Sequence, residues 1–391
     1  MAGKAPRSFT LLHGYRPSRL LASPPPVVTA RRSFWTSSTR QQAIAAPICT
    51  RHLADLGARI IKIERPGAGD FARSYDSRVG PGLSSHFVWA NRSKESLALD
   101  LKQPRDLSIL RKLIADLPAD VLVQNLAPGA ADRLGLSYDS LKEKHPSLIV
   151  CDISGYGSTG PYRDKKAYDL LVQSEAGLLS TTGGADGKSP AKVGISIADI
   201  ASGMYALTSI MGALMRRERD KTDPKTGCRI DISMLEAMVE WMSFPLYYTY
   251  QGQPGPRPMG AFHAAIYPYG PFETGGGGSV MLGVQNEREW TRLCAEVLHD
   301  AALAVDTRFA TNLKRVENRE ALQHIMIRSF SQLSAEEVIA RLDAAGIANA
   351  KVSDMQGVWE HPQLKARRRW TEVGTSQGAR AGITSARSLG C

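Results

Sequence analysis

Apolar residues recur with two alternating periods from about residue 42 onward, and this alternation predicts the architecture. Residues 43–57 carry apolar side chains at helical spacing and end at Gly57, a residue suited to a helix C-terminus. Short β-branched runs, with helical patterns between the later ones, follow at residues 59–64, 96–101, 120–125 and 147–154. Strands that alternate with helices over residues 42–155 predict βαβ units. We therefore expect an α/β protein with an open, doubly wound parallel sheet of Rossmann-like type.

A different pattern begins after the charged run at residues 216–227. A strand candidate, an aromatic and Met-rich stretch, a Pro/Gly loop and two further strand patterns succeed one another between residues 228 and 330. We expect a smaller α+β domain at 228–330, inserted into a large α/β domain made of residues 41–220 and 331–391. The helical pattern that follows Ser334 is expected to return the chain to the main sheet.

The positive charge of the chain lies at its two ends. The net charge is +11, but residues 1–40 hold seven basic residues and no acid, and residues 365–391 are also basic. The body between them is close to neutral, which argues against nucleic acid as a partner. Residues 1–40, rich in Arg and Ser, are typical of a mitochondrial presequence, although three prolines at 24–26 interrupt any long helix. The alternative is an extension without a targeting role, in a cytoplasmic protein.

The cysteines, the histidines and the lengths of the apolar runs argue against a disulfide framework, a metal site and a membrane span. Cys49, Cys151, Cys228, Cys294 and Cys391 are scattered without CxxC spacing, so we expect free thiols in a reducing compartment. The histidines form no cluster with ligand spacing, and we expect no metal. No apolar run approaches the roughly 18 residues of a membrane span, so we expect a soluble protein without a membrane partner.

Three glycines imitate a dinucleotide-binding motif. Gly155, Gly157 and Gly160 form G-x-G-x-x-G directly after an apolar strand pattern. A true motif opens a helix that receives the pyrophosphate, whereas Pro161 and a polar, non-periodic stretch follow here. We expect a loop at the carboxyl end of a strand, and therefore a ligand site but not a dehydrogenase.

The stretch from 125 to 183 resembles the family III CoA-transferases, the group of formyl-CoA and carnitine CoA-transferases. The resemblance rests on N-x-x-P-G-x-x-x-R-L-G at 125–135, on SGYGSTGP at 154–161 and on the Tyr168–Asp169 pair. It extends through residues 45–70, 91–102, 193–206 and 282–290, and covers about residues 42–370. The resemblance implies CoA transfer from an acyl-CoA to a small carboxylic acid, with a dicarboxylate as the weaker, finer expectation. It also implies an interlocked homodimer and no permanently bound cofactor, since CoA is a substrate.

The same resemblance implies a carboxylate nucleophile at Asp199. In this family the carboxylate forms an acyl–enzyme anhydride and then an enzyme–CoA thioester, which divides one difficult exchange into easier steps. From the residues alone, Asp199 stands before an apolar helical pattern that begins at Ile200, where an N-cap is the ordinary role of aspartate. The two roles are compatible, because helix amides favour an ionised carboxylate.

Tyr168 and Asp169 distinguish two reactions on the same fold. Racemases of the superfamily hold a His-Asp pair at this place, with the histidine as general acid and base. Tyrosine, with an ordinary pKa near 10, is a poor proton shuttle but a good hydrogen-bond donor to an acyl oxygen. The pair therefore favours a transferase over a 2-methylacyl-CoA racemase.

The resemblance also implies a set of CoA-contacting positions. Basic residues suited to phosphates, residues along the nucleotide or pantetheine path and two alanines by the thioester make up this set: Arg65, Lys102, Arg133 and Lys166; Leu99, Asn125, Leu126 and Met234; Ala45 and Ala46. Gly275–Gly278 resembles a glycine-rich loop that covers the active site in some members, but a hairpin turn explains it better.

Both ends depart from the family pattern. Polar residues at 33–42 occupy the place of a first apolar strand, and a small, polar tail follows residue 374. A protein without that strand would have an exposed sheet edge. A non-catalytic CoA-binding homologue therefore stays open as an alternative, although the presence of Asp199 speaks against it.

Overall fold

The computed structural model describes residues 43–117, 119–221 and 225–374, together with the backbone of 380–384. The predicted presequence at 1–40, the polar segment at 33–42 and the tail from residue 385 lie outside the described residues.

The strands are short and are distributed over the whole described chain. They are β1 Ile61–Glu64, β2 Glu95–Ala98, β3 Val121–Gln124, β4 Ile149–Ser154, β5 Cys228–Ser233, β6 Tyr269–Glu273, β7 Ser279–Gly283, β8 Ala348–Lys351, β9 Trp370–Gly374 and β10 Arg380–Thr384.

The helices range from a single turn to 23 residues. They are α1 Ala45–Asp55, α2 Ser85–Asn91, α3 Pro104–Asp116, α4 Ala130–Leu134, α5 Tyr138–Leu141, α6 Asp169–Glu175, α7 Leu178–Thr181, α8 Ile197–Arg219, α9 Met234–Trp241, α10 Ser243–Tyr248, α11 Glu287–Arg292, α12 Asn312–Glu317, α13 Arg319–Phe330, α14 Ala335–Ala344, α15 Met355–Glu360 and α16 Pro362–Ala366.

The first five strands are parallel. β1 pairs with β2, and β4 lies between β3 and β5 in a register that places Cys151 beside Val123 and Ile230. β1 and β3 are buried along their whole length. β3 has the apolar run typical of such a strand, whereas β1 alternates, and its buried Lys62 and Glu64 form ion pairs with Asp70 and Arg73. The four strands predicted between residues 59 and 154 are present, and the predicted α/β class is confirmed.

Helices cover both faces of the parallel strands. On one face, Leu122 and Val150 pack with Leu110 of α3 and Leu141 of α5. On the other face, side chains of β3 and β4 pack with α1 and α8, in a cluster that contains Val121, Val123, Cys151, Leu53 and Leu207. Alternate residues of each strand thus belong to opposite cores.

A second core lies between residues 267 and 347. Strands β6, β7 and β8 form an antiparallel sheet in that order, and helices α11, α13 and α14 bury Trp290, Phe330 and Leu342 against it. The predicted hairpin between β6 and β7 is confirmed. Gly276 and Gly277 adopt positive φ in its turn, a conformation that glycine accepts without steric cost.

Two predicted strand assignments are wrong. The strand at Cys228–Ser233 was expected in the small domain, but it pairs with β4 and completes the parallel sheet. The segment after Ser334 was expected to rejoin the main sheet, but β8 pairs with β7. Both strands are short and have few apolar residues, so their sequences carry no signal for one partner over the other. The chain contacts the first body again later, where Val373 of β9 packs beside Leu83 and Phe87.

Helix α8 is the longest helix among the described residues and is a core element. By length and composition alone it meets the test for a helix that crosses a membrane. Its buried residues, however, pack against α1 and the sheet, as Leu207 and Ile210 do, and against α6 and α9, as Ala198 and Ala201 do. A core helix of a soluble protein meets the same test.

Candidate active site

Asp199 lies at the meeting point of two helix N-termini. Helix α8 begins at Ile197 with Ser196 as its N-cap, so Asp199 occupies the first turn and not the cap position that the sequence predicted. The helical pattern was recognised from Ile200, one turn too late, because Ser196 and Ala198 carry no strong apolar signal. The Ala45 backbone amide at the start of α1 donates a hydrogen bond to the Asp199 carboxylate.

Close packing of α1 on α8 makes this contact possible. Gly203 lies one turn beyond Asp199, and a Cβ at this position would stand 2.5 Å from the Ala45 carbonyl oxygen and 3.3 Å from Ile48 Cβ. Only glycine permits the two backbones to approach so closely. Gly203 therefore fixes the distance between the first turn of α1 and the Asp199 carboxylate.

The Asp169 side chain is hydrogen-bonded to the backbone at the start of α8, which includes Asp199. Neither Ser196 nor Ile44 caps its helix with a side-chain hydrogen bond. The Asp169 carboxylate takes this role for α8, since its Oδ1 accepts from the Ala198 amide at 2.8 Å and from the Asp199 amide at 3.3 Å. The structure thus brings Asp169 of the predicted pair to Asp199, whose backbone amide donates to it.

The pKa of Asp199 is raised to about 7 from its ordinary value of 3.8. Burial of the carboxylate is the larger cause, and the negative charge of Asp169 adds to it, while the hydrogen bond from Ala45 opposes both. A carboxylate with a raised pKa is more basic and therefore more nucleophilic than an ordinary one. A half-buried aspartate at this pKa between two helix N-termini fits covalent catalysis.

Two tyrosines lie around the carboxylate. Tyr168 precedes α6 and is 65% exposed, so its ring is available to a ligand. The pKa of Tyr75 is raised to about 12 by burial first, and then by the charges of Asp199, Asp70 and Tyr168. Sequence reasoning missed Tyr75, since it stands in a polar segment after a two-glycine turn and matches no periodic pattern.

Three of the predicted CoA-contacting residues belong to the elements around Asp199. Ala45 and Ala46 are buried in the first turn of α1, and Ala45 bonds directly to Asp199. Met234, the first residue of α9, packs in the same cluster as Ala198. Because Met234 directly follows β5, this part of the site lies at the carboxyl end of the parallel strands, where open α/β sheets place ligands.

Arg65 lines a cavity beyond the ends of β1 and β2. The cavity has a volume of about 750 Å³, and Glu64, Arg73 and Ser96 also line it. Although burial opposes the shift, hydrogen bonds from Arg73 and Ser96 lower the pKa of Glu64 to about 2. Glu64 and Arg73 thus neutralise one another, which leaves the exposed Arg65 guanidinium as a cationic wall suited to a phosphate.

Lys102 and Leu99 follow β2 but differ in exposure. Lys102 is exposed, whereas the Leu99 side chain is 6% exposed and belongs to the core below the sheet. A ligand on this side could reach the backbone of Leu99 but not its side chain.

A second cavity, of about 280 Å³, lies beyond β3 and β4. Leu126 lines it, while Asn125 beside it holds a buried Oδ1 for which the described residues offer no hydrogen-bond donor. Arg133 lies in α4, which opens at this cavity, and Lys166 is an exposed residue of the loop after β4. The predicted positions therefore divide among the ends of β1 and β2, of β3 and β4, and of β5, and do not form one cluster of contacting side chains.

The glycine motif forms the predicted loop. Gly157 and Gly160 adopt positive φ, and no helix begins before Asp169. A Cβ at Gly155 would lie 2.1 Å from Ala167 Cβ, so this glycine lets the chain fold back and deliver Tyr168 to the strand end. Among the described residues, no group of three or more His, Cys, Asp or Glu is placed to hold a metal ion.

A parallel α/β body that holds a carboxylate of raised pKa in the first turn of a helix is compatible with covalent acyl-group transfer. The sequence profile of CoA-transferase family III matches residues 39–388, and the chain belongs to this family. The predicted resemblance is thus confirmed, and with it the prediction that the protein is a CoA-transferase.

Known relatives are similar over most of their length. An acyl-CoA transferase of Fusarium pseudograminearum (strain CS3096) is 35% identical over 83% of this chain and 71% of its own. The succinyl-CoA:glutarate CoA-transferase of Mus musculus is 32% identical over 83% of this chain and 72% of its own. The crystal structure of a CAIB/BAIF family protein from Brucella suis matches with a TM-score of 0.78 and 31% identity, over 91% of this chain and 92% of that one.

Proposed function

We propose that the protein transfers CoA from an acyl-CoA donor to a small dicarboxylic acid, with Asp199 as the covalent nucleophile. The observation that carries the proposal is the position of Asp199, whose carboxylate lies between the N-termini of α1 and α8 with a pKa raised to about 7. The dicarboxylate is supported by relatives named for glutarate, oxalate and mesaconate.

The reaction begins at the donor thioester. An Asp199 carboxylate oxygen attacks the carbonyl carbon, the carbon–sulfur bond breaks, and a mixed anhydride and CoA thiolate result. The thiolate then attacks the aspartyl carbonyl of the anhydride, which releases the donor acid as a carboxylate and leaves an aspartyl–CoA thioester.

The acceptor acid reverses these steps. Its carboxylate attacks the aspartyl thioester, thiolate leaves again, and attack of the thiolate on the acceptor carbonyl restores the Asp199 carboxylate and releases the new acyl-CoA. No net proton is taken up or released. The exposed Tyr168 hydroxyl suits a hydrogen bond to an acyl oxygen, and its high ordinary pKa makes it unsuited to the proton transfer of a racemase.

Cationic side chains at the strand ends suit the phosphates of CoA. Arg65 and Lys102 lie beyond β1 and β2, and Arg133 and Lys166 lie near the end of β4. We assign all four to the nucleotide part of CoA, with Ala45, Ala46 and Met234 toward the thioester.

Trapping the covalent intermediate tests the proposal. Purified protein is incubated with succinyl-CoA and a panel of dicarboxylates, product CoA esters are measured, and the enzyme is treated with hydroxylamine before peptide mass analysis. We expect transfer to at least one dicarboxylate and a modified peptide that contains Asp199.

Two variants give the contrast. Asp199→Asn is expected to lose both transfer and adduct, whereas Asp116→Asn, which changes an exposed carboxylate at the end of α3, is expected to keep both. An adduct that persists in Asp199→Asn, or deuterium exchange at the α-carbon without any adduct, would contradict the proposal.

We further propose that the active form is an interlocked homodimer and that β1–β2 and β3–β4–β5 are parts of one doubly wound sheet. Exposed aromatic side chains on and after α10 support the dimer, since Phe244, Tyr247 and Tyr250 are 67%, 78% and 69% exposed. Exposed apolar surface of this kind marks an interaction face.

A mitochondrial location is proposed from residues 1–40, which are rich in arginine and contain no acid. Fusion of these residues to a fluorescent protein is expected to direct it to mitochondria. Diffuse cytoplasmic fluorescence would contradict the location and leave the enzymatic proposal untouched.

A further inference from the structure

Gln173 is a fully buried polar residue to which the reaction scheme assigns no role. It lies in α6, four residues after Asp169, and has no exposed surface. Its amide is satisfied on both sides, because Nε2 donates to Asp169 Oδ2 at 2.6 Å and Oε1 accepts from the Val193 amide at 3.2 Å. The direction of both bonds is fixed, since a backbone amide can only donate and a carboxylate can only accept.

These bonds continue to the nucleophile. Asp169 uses its other oxygen for the Ala198 and Asp199 amides at the start of α8. The result is an uninterrupted hydrogen-bonded chain from Val193 through Gln173 and Asp169 to the backbone of Asp199.

The far end of this chain holds a loop between α7 and α8. Its two arms pair with each other, since the Ala191 amide donates to the Thr182 carbonyl at 2.9 Å and the Gly184 amide to the Ser189 carbonyl at 3.0 Å. The Gly183 carbonyl accepts from the Gly260 amide at 2.9 Å, so the loop also contacts the Pro/Gly segment before the second core. Val193 is the point at which Gln173 holds this loop.

We propose that Gln173 is a positioning residue for the transfer reaction, which orients Asp169, and through it Asp199, and couples the loop at 182–193 to the nucleophile. This inference rests on the proposed function of Asp199. The inference requires that the side chain at position 173 donates a hydrogen bond to residue 169 and accepts one from the Val193 amide. A glutamine amide can do both when residue 169 is a carboxylate.

That requirement can be reversed by exchanging the two side-chain types. Gln173→Glu alone places two carboxylates against each other, and Asp169→Asn alone places two amide donors against each other. In the double variant, the asparagine amide can donate to the glutamate, which still accepts from Val193, while the asparagine oxygen still accepts from the α8 amides. The pair keeps its single negative charge, so all the bonds of the chain are restored and only the bond between residues 169 and 173 is reversed.

The test is a double-mutant cycle of kcat and of the KM for the acyl-CoA donor. Misplacement of a nucleophile by small distances costs about 100-fold in rate, and we expect each single variant to lose about that much kcat. We expect KM for the donor to change less than about threefold, because no CoA-contacting group is altered. The double variant is expected to regain at least about tenfold of the lost kcat.

A double variant that is folded but loses kcat by the product of the two single losses would overturn the inference. Gln173→Met, of similar length but without donor or acceptor, serves where Gln173→Glu fails to fold. It is expected to lower kcat with an unchanged donor KM, and an unchanged kcat in this variant would also overturn the inference.

A measurement without turnover separates this inference from the proposed function. Amide hydrogen exchange at the start of α8 is expected to be faster in both single variants and to return toward the wild-type rate in the double variant. Restored protection in a protein that transfers no CoA would leave the hydrogen-bonded chain intact and reject the proposed function. Transfer by the wild type with no restoration of protection would do the reverse.

Discussion

At the scale of single residues, opposing effects set the pKa of one carboxylate, that of Asp199. Burial and the charge of Asp169 raise the pKa of Asp199 to about 7, and the Ala45 amide limits that rise. The carboxylate is thus basic enough to attack a thioester and still ionised in a useful fraction near neutral pH. This balance has measurable consequences for both rate and stability.

The pH dependence of kcat/KM follows from the pKa of Asp199. The nucleophile must be ionised, so we expect kcat/KM in the free enzyme to rise tenfold per pH unit at acidic pH and to level off above about 7. Initial rates across pH 5–9 with a saturating acceptor measure this limb. A rate that is constant down to pH 5 would show that Asp199 keeps an ordinary pKa.

Asp199→Asn is expected to stabilise the folded protein while abolishing transfer. A carboxyl whose pKa is raised on folding costs no stability below its unfolded pKa near 4, and costs progressively more as the pH rises to about 7. Three pKa units correspond to at most ~4 kcal/mol, and because Asp199 keeps some solvent contact we expect about 1–2 kcal/mol at pH 8. Thermal unfolding at pH 8 and pH 5 measures it, and an equal gain at both would contradict the assigned cause.

The sequence identified residues only where a motif stood around them. Asp199, Tyr168 and Asp169 were found through a resemblance, and the structure brings all three together. Tyr75 and Gln173 were missed, because a tyrosine in a polar segment and a glutamine in a short helix are typical of ordinary surface positions. Their roles depend on which distant residues fold against them, and that information is not local.

At the scale of secondary-structure elements, the contact of α1 with α8 determines the geometry of the site. Gly203 lets the two helices touch, and the same contact brings the Ala45 amide to Asp199. Helix packing here serves both the stability of the fold and the electrostatics of the nucleophile.

Gly203→Ala is expected to lower both the stability of the fold and the rate of transfer. The added Cβ would stand 2.5 Å from the Ala45 carbonyl oxygen, so the helices must separate. Overpacking of this kind costs about 1–3 kcal/mol in the free energy of unfolding, and we expect kcat to fall as well because Ala45 moves away from Asp199. Denaturant unfolding and steady-state kinetics measure the two effects.

The same helix offers a matched control. Gly212 of α8 is exposed, and a Cβ there would meet no atom within 4 Å. Gly212→Ala is expected to stabilise the protein by about 1 kcal/mol through helix propensity and to leave kcat unchanged. Equal responses of the two glycine variants would show that α1 and α8 are not in close contact.

Local patterns predicted elements better than their partners. The strands at residues 59–64, 96–101, 120–125 and 147–154, the stop of α1 at Gly57 and the glycine hairpin all agree with the structure. β5 and β8 were recognised as strand patterns but placed in the wrong sheets. The sequence of a strand of four to six residues predicts its extended backbone. Which strand it pairs with depends on the long-range path of the chain.

At the scale of the whole molecule, two cores share one chain. The first surrounds the parallel strands, and the second lies between residues 267 and 347 with its own antiparallel sheet. Between them, residues 239–250 leave a row of aromatic side chains exposed, as no comparable stretch of the described residues does with aromatic rings. This is the surface that we propose a second copy of the chain covers.

Phe244→Glu is expected to weaken the homodimer. A charge placed on a buried apolar interface loses its hydration, so we expect the dissociation constant to rise at least tenfold, which is ~1.4 kcal/mol. Analytical ultracentrifugation over a range of concentrations measures it. Val305→Glu, at an exposed apolar residue of the second core (79% exposed), is the control and should leave the association unchanged. Two variants that behave alike would place the interface elsewhere.

The hydrogen bond between Ala45 and Asp199 also bears on the order in which the protein folds. The two residues stand 154 positions apart in the chain, and closing so long a loop is slow and entropically costly. On a ribosome, α1 and the first strands emerge well before α8, so the apolar face of α1 must wait for its partner. The Asp199 carboxylate therefore reaches its site geometry only after α8 has been synthesised and has packed on α1.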